Sequence, residues 1–244
     1  MISVEALSCG YEETILNDLS ITTANNLVIL GANGAGKSTF AKALCALLPY
    51  SGKITLHDHS LQELSAQERA RTITYIPPKL ESYDTFITVL DFVLMGRHPY
   101  KSPFEAYSEK DETLARSLID EHALEPHNKI GELSSGQQQL LLITQALAQE
   151  SKIIIFDEPT ANLDPHHKVA FYKALQSLDD ATQKVVITHD LGLAYKLGYE
   201  VLFVQDGTAE HYVDHNTFFT KTNLKRSYGV DFSIEDGIVG VVYG

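Results

Sequence analysis

GANGAGKST, Gly31 to Thr39, follows the apolar run Leu27-Val28-Ile29-Leu30 and precedes Phe40-Ala41-Lys42-Ala43-Leu44, so a glycine-rich turn joins a buried strand to a helix. Gly31, Gly36, Lys37 and Ser38 satisfy the pattern G-x-x-x-x-G-K-S/T in that setting. Glycine at 31, 34 and 36 removes side chains where backbone N–H groups must approach phosphate oxygens, and the helix N-terminus adds partial positive charge. The stretch reads as a nucleotide phosphate cradle, with Lys37 reaching the β- and γ-phosphates and Ser38 a ligand of Mg²⁺. Asn33 and Thr39 belong to the same nucleotide-binding loop. Chance alone yields this pattern in roughly one chain in a hundred of this length, so the rest of the sequence must decide what the loop serves.

The 244 residues suffice for one large domain or two small lobes around a sizeable core. Composition is that of a soluble globular protein: 44% hydrophobic, 21% charged, no tryptophan. No apolar run approaches the roughly 18 residues needed to cross a bilayer, and the N-terminus lacks a basic-then-apolar leader, so a cytoplasmic location is expected. Cys9 and Cys45 lack CxxC spacing and fit a reducing compartment, as core residues. A net charge of −13 argues against nucleic acid as a partner. Neither His57 with His59 nor His166 with His167 has further ligands at an interpretable spacing, so surface or structural roles are expected.

Along the chain, strands are expected over Ile2 to Leu7 and Ile15 to Ile21, with Tyr11 in the turn after the first. The first helix ends before Pro49, and Ser51-Gly52 reads as a turn. Ser65 to Glu68 resembles a capping box, and a strand returns over Thr72 to Ile76. From Lys79 to about Gly131 short helical patterns replace strands, one after Thr88 and another from Ser108 through His122, as in a helical insert. Glu109, Lys110, Asp111 and Glu112 read as a solvated helix face. A second capping box at Ser134 to Gln137 opens a long helix, and Asp164 with Pro165 opens another. A strand at Val185 to Thr188, a helix from Leu191 and a strand at Val201 to Val204 complete the alternation. Asp206-Gly207 is a turn, and a small β-rich tail is expected after it.

The near-continuous apolar strand Ile153 to Phe156 ends in Asp157-Glu158-Pro159. In a parallel sheet the carboxyl ends of strands face the ligand crevice, which would deliver both carboxylates beside the phosphate loop. Asp157 suits the outer shell of Mg²⁺, and Glu158 suits a base that orients or deprotonates the attacking water. His189, one strand later on the same edge, is placed to bond the γ-phosphate.

With these residues in hand, the chain resembles the ATP-binding subunits of ABC transporters over essentially its full length. LSSGQ at Leu133 to Gln137 resembles the family signature, IIIFDEP the Walker B motif, ANLD at Ala161 to Asp164 the D-loop, and His189 the switch histidine. Tyr11 stands where the family stacks an aromatic ring on adenine. The resemblance implies an α/β P-loop NTPase fold with a mainly parallel core sheet, an N-terminal antiparallel β subdomain and a helical insert over about 79–131, all within one domain of residues 1–244. It also implies a head-to-tail dimer with a second copy, each ATP held by the phosphate loop of one copy and by Ser134, Ser135, Gly136 and Gln137 of the other, with Asp164 nearby. Two permease subunits on the cytoplasmic face of the membrane and a solute-binding protein complete the implied transporter.

Two residues depart from the family pattern. Pro78 stands where a glutamine is usual, and it has neither a side-chain amide nor an N–H. Ser135 replaces a common glycine. Altered coupling or turnover is expected from both, rather than loss of ATP binding. TVLDFVLMGRHPY at Thr88 to Tyr100, LDPHHK at Leu163 to Lys168 and Tyr228-Gly229-Val230 resemble importers of iron chelates (siderophores), haem and cobalamin. Zinc and manganese importers share a similar stretch after the Pro-Pro turn. A weakly hydrolysing regulatory cassette is a further alternative; a DNA-repair or translation cassette ATPase would usually add a coiled-coil arm or second cassette, which this chain lacks.

Overall fold

The computed structural model describes residues 1–80, 86–161, 163–235 and 238–242. Its first elements are β1 (Ile2–Gly10), β2 (Thr14–Thr23), β3 (Leu27–Gly31), α1 (Lys37–Leu44), β4 (Tyr50–Leu56) and β5 (His59–Ser60). They are followed by α2 (Ala66–Thr72), β6 (Ile73–Ile76), α3 (Val89–Met95), α4 (Glu109–Glu121), α5 (Ser135–Ala148), β7 (Ile153–Asp157) and α6 (Pro165–Ser177). The chain closes with β8 (Gln183–Ile187), α7 (Leu191–Leu197), β9 (Glu200–Gln205), β10 (Thr208–Tyr212), α8 (His215–Phe218), α9 (Lys221–Tyr228), β11 (Phe232–Glu235) and β12 (Ile238–Val241). Two compact units divide it: Met1–Glu63 with Gln183–Gly244, and Leu64–Thr182.

In the first unit β2-β1-β4-β5 form an antiparallel sheet, and β10-β9-β3-β8 lie in that order with β3 parallel to both neighbours. Every residue of β3 and of β8 is buried, which explains why their apolar runs do not alternate. Ser51-Gly52 is not a turn. Both residues lie inside β4, where Gly52 at φ +91 stands opposite a bulge of β1 formed by Ala6 and Leu7, and a Cβ there would sit 2.4 Å from the Ala6 carbonyl oxygen. Asp206 (φ 49) and Gly207 (φ 76) take the left-handed pair of conformations of a tight hairpin, joining β9 to β10. The tail beyond it is less β-rich than its sequence reads: α8 and α9 intervene before the β11–β12 hairpin, started by the side-chain caps Asp214 and Thr220.

In the second unit β6 and β7 pair in parallel, Ile73 opposite Ile153 through Ile76 opposite Phe156. Ser65, Ser108 and Ser134 each close a reciprocal capping box, with Glu68, Asp111 and Gln137. α3 ends against α5 at Gly96, where a Cβ would lie 2.4 Å from the Gln145 carbonyl oxygen. Asp111 corrects the reading of its stretch as a solvated face: it is 5% exposed, and its carboxylate accepts from Arg97 Nε at 3.1 Å and Lys101 Nζ at 2.5 Å. Arg97 also donates to the Ala148 carbonyl and the Glu150 carboxylate, both at 2.6 Å, so one guanidinium ties α4 to the end of α5.

Burial pushes the Asp111 carboxyl up, but hydrogen bonds from Lys101, Ser108 and Arg97 outweigh it and hold the group far below the usual carboxylate range. A depressed carboxylate contributes stability above its unfolded pKa of about 3.9, and that contribution drains away as pH falls from there toward the folded value. Asp111→Asn should therefore cost about 3 kcal/mol at neutral pH, since it leaves buried cations under-paired, and the gap to wild type should close below pH 4 in urea titrations. A gap independent of pH would sink this account.

Candidate functional site

The phosphate loop grows out of β3 under two close approaches. Gly31 has φ +148, and a Cβ on it would fall 2.1 Å from the Val204 carbonyl oxygen of β9. Gly36 is the N-cap of α1 at φ +104, with Leu16 Cδ2 2.8 Å from where its Cβ would stand. Gly36, as N-cap, brings no side chain to the start of α1, the kind of helix terminus that receives an anion well. Gly34, at φ +79, faces open space and is needed for its backbone conformation alone. The Lys37 side chain is buried and folds back along the loop, donating to the carbonyls of Gly31 and Ala32 at 2.9 Å each. Ser38 is half-buried, Thr39 buried and Asn33 exposed.

Two other expected residues belong to this unit. Tyr11 is 62% exposed, and its hydroxyl accepts from Lys42 Nζ at 3.3 Å, with the ammonium 5.8 Å from the ring centroid. Its ring thus offers a face to a flat ligand. His189 is exposed between β8 and α7, next to Asp190, whose N–H donates to Thr188 Oγ1 and whose carboxylate accepts from the Leu193 N–H as the cap of α7.

The second unit carries the remaining residues. Asp157 ends β7 at 1% exposure; its Oδ2 accepts from the Tyr75 hydroxyl at 2.6 Å, and its Oδ1 is buried with no hydrogen-bond partner among the described residues. An orphan carboxylate oxygen costs free energy unless something satisfies it, and a divalent cation or its water shell is the partner such an oxygen fits. Tyr75 carries no signal in the sequence beyond that of a strand residue. Glu158 follows at φ 46, a strained conformation for a non-glycine residue, at the point where the chain leaves the sheet. It lines a cavity of about 50 Å³ together with Pro78, Ser135, Gln138, Gln139 and Pro159.

At the start of α5, Ser134 Oγ accepts from the Gln137 N–H at 3.3 Å, while Gln137 Oε1 accepts from the Ser134 N–H at 3.0 Å. Gly136 is buried against α6: a Cβ on it would lie 2.7 Å from the His167 ring. Asp164, the N-cap of α6, holds that ring by its Nδ1 at 2.9 Å and accepts from its N–H at 2.9 Å. The backbone bond holds the Asp164 carboxyl below its ordinary value, and the ring bond adds to it. Asn162 of the ANLD segment lies outside the described residues. His167 thus has a partner that its spacing alone did not reveal, and the ligand atoms of Asp164, His166 and His167 lie within 4.8 Å of one another. Gly136→Ala should destabilise the protein by about 1–3 kcal/mol through overpacking, and adding His167→Ala should return most of that loss in a thermal melt. Additive losses would mean that the ring is not what makes glycine necessary.

A glycine-lined loop ahead of an uncapped helix, with an acidic pair closing a buried parallel strand, defines a P-loop nucleotide-binding protein of α/β type. Comparison with known proteins narrows the class. The family profile described as ABC transporter matches residues 16–161. The petrobactin import ATP-binding protein FpuD of Bacillus anthracis is 32% identical over 84% of this chain and 78% of its own. The manganese transport system ATP-binding protein MntB of Listeria innocua is 31% identical over 93% and 96%. Among solved structures, an inward-facing ABC transporter described as metal-chelate type aligns with a TM-score of 0.80 at 25% identity, covering 98% of this chain and 95% of that one. A bacterial ABC transporter cassette solved as a dimer aligns with a TM-score of 0.74 at 25% identity, over 86% and 97%.

The chain belongs to the ABC transporter family. It has the P-loop NTPase fold of that family's cassettes and is an ATP-binding, ABC-type ATPase subunit. No helix among the described residues is long and apolar enough to cross a membrane.

Proposed function

We propose that this ATPase powers import of an iron chelate, a siderophore or haem, or of cobalamin, and that it does so as a sandwich dimer with a second copy of itself. The observation that carries the nucleotide half of this reading is the glycine-built loop from Gly31 to Gly36, each of Gly31, Gly34 and Gly36 at positive φ, running into the start of α1. The cargo class is supported by the similarity to the petrobactin subunit and by the MGRHPY and LDPHHK segments. In this account residues 1–244 form one cassette with a helical insert over about 79–131, attached to two permease subunits at the cytoplasmic face of the membrane. A solute-binding protein delivers the cargo from outside.

Each side chain then has a task. Tyr11 stacks on the adenine, and the loop from Gly31 through Asn33, Gly34, Gly36, Lys37 and Thr39 holds the phosphates. Ser38 and Asp157 would hold Mg²⁺, which neutralises phosphate charge when bound. Ser135 and Gly136 offer N–H groups to the γ-phosphate of the second copy's ATP, Ser134 and Gln137 shape the helix N-terminus behind them, and Asp164 lies beside them. Glu158 takes the proton of the attacking water, and His189 bonds the γ-phosphate. Catalysis is mainly positioning and electrostatic stabilisation.

The cargo is tested by uptake in a strain lacking this chain. Uptake of a ⁵⁵Fe-loaded siderophore, haem or labelled cobalamin should fail and be restored by the wild-type chain but not by Lys37→Ala. Loss of ⁵⁴Mn or ⁶⁵Zn uptake instead would favour the second reading, a zinc or manganese importer, which the Listeria relative supports over 93% of this chain. A weakly hydrolysing regulatory cassette is favoured by Pro78 and Ser135, and a single-turnover rate no faster than that of Glu158→Gln would select it.

A further inference from the structure

Gln139, in the second turn of α5, is 5% exposed, and its Nε2 has no hydrogen-bond partner among the described residues. A buried amide donor left unmade is costly and calls for an acceptor. The residue lines the same 50 Å³ cavity as Glu158. Roughly 10–15 Å³ accommodates one water when two or more polar groups surround it, and Gln139, Ser135 and Glu158 are among the polar residues that line this cavity. The other amide on the wall, Gln138 Nε2, already donates to the Leu133 carbonyl at 3.3 Å. Pro78 brings neither a side-chain donor nor an N–H to the wall.

We propose that Gln139 is a positioning residue for ATP hydrolysis: its amide donates to a water in this cavity, and that water donates in turn to the Glu158 carboxylate, fixing its aim. The proposal rests on Glu158 being the base. No bond is made or broken at Gln139. Losing that hydrogen bond loosens the carboxylate and spoils its aim at the attacking water.

The test is steady-state hydrolysis of Mg-ATP by the full-length protein, for Gln139→Met and the isosteric Gln139→Glu. Gln139→Met should lower kcat roughly tenfold with KM for ATP unchanged. Gln139→Glu, which keeps the shape but as a carboxylate has no N–H to donate, should lose as much. In the Glu158→Gln background neither change should lower the residual rate again. A kcat within twofold of wild type, a raised KM in place of a lowered kcat, or an equal fold-loss in the Glu158→Gln background would overturn the proposal. Normal turnover by Glu158→Gln alone would instead remove the base assignment, a separate and distinguishable failure.

Discussion

In the Glu158→Gln variant, ATP turnover falls by roughly 10²–10⁴-fold while ATP affinity stays within a few-fold of wild type. The amide preserves the volume and the backbone strain at φ 46, so the turn leaving β7 is retained. What disappears is the group that accepts a proton. The phosphate loop, Gly31 to Thr39, bears the binding energy in this account, and the substitution changes none of its residues. Equilibrium binding of a fluorescent ATP analogue and phosphate release measured on the same preparation separate the two effects. Unchanged phosphate release would take Glu158 out of the mechanism; lost binding would mean that its role is structural.

Gly31→Ala should be the most damaging small substitution in the phosphate loop, costing about 4 kcal/mol or more, enough to prevent accumulation of folded protein in many hosts. Two penalties combine. The φ of +148 is one that side-chain-bearing residues rarely adopt, and the added Cβ would sit 2.1 Å from a backbone oxygen of β9, which cannot swing aside as a side chain would. The only relief is to part β3 from β9, two strands in parallel register from Leu27 opposite Glu200 to Gly31 opposite Val204. Gly34→Ala serves as control: it carries only the backbone penalty, because nothing lies within 4 Å of the new methyl group. Urea unfolding of the two variants should rank them in that order, and equal destabilisation would contradict the role given to the β9 contact.

Those two glycines show which part of the molecule could be read in advance. Local patterns were legible: the apolar runs of β3 and β7, the Ser65, Ser108 and Ser134 starts of helices, and the Asp206-Gly207 hairpin all depend on residues adjacent in sequence. The phosphate loop was legible for the same reason. Gly52 reads as a turn because a turn and a close approach to a bulged neighbour ask for the same left-handed glycine, and only the pairing with β1 distinguishes them. Asp111 was misread because its neighbours in sequence are exposed, while Arg97 and Lys101, which bury it, lie on another segment. Tyr75 against Asp157, and His167 against Gly136, escaped notice likewise, for each pair is formed by packing rather than by spacing.

The central claim is that one chain holds only half of each ATP site and that the signature at Ser134 to Gln137 of a second copy supplies the rest. Sedimentation velocity of Glu158→Gln, which binds ATP without consuming it, tests this most directly. The account predicts a monomer without nucleotide or with ADP and a dimer at saturating Mg-ATP; a monomer that has demonstrably bound ATP would contradict it.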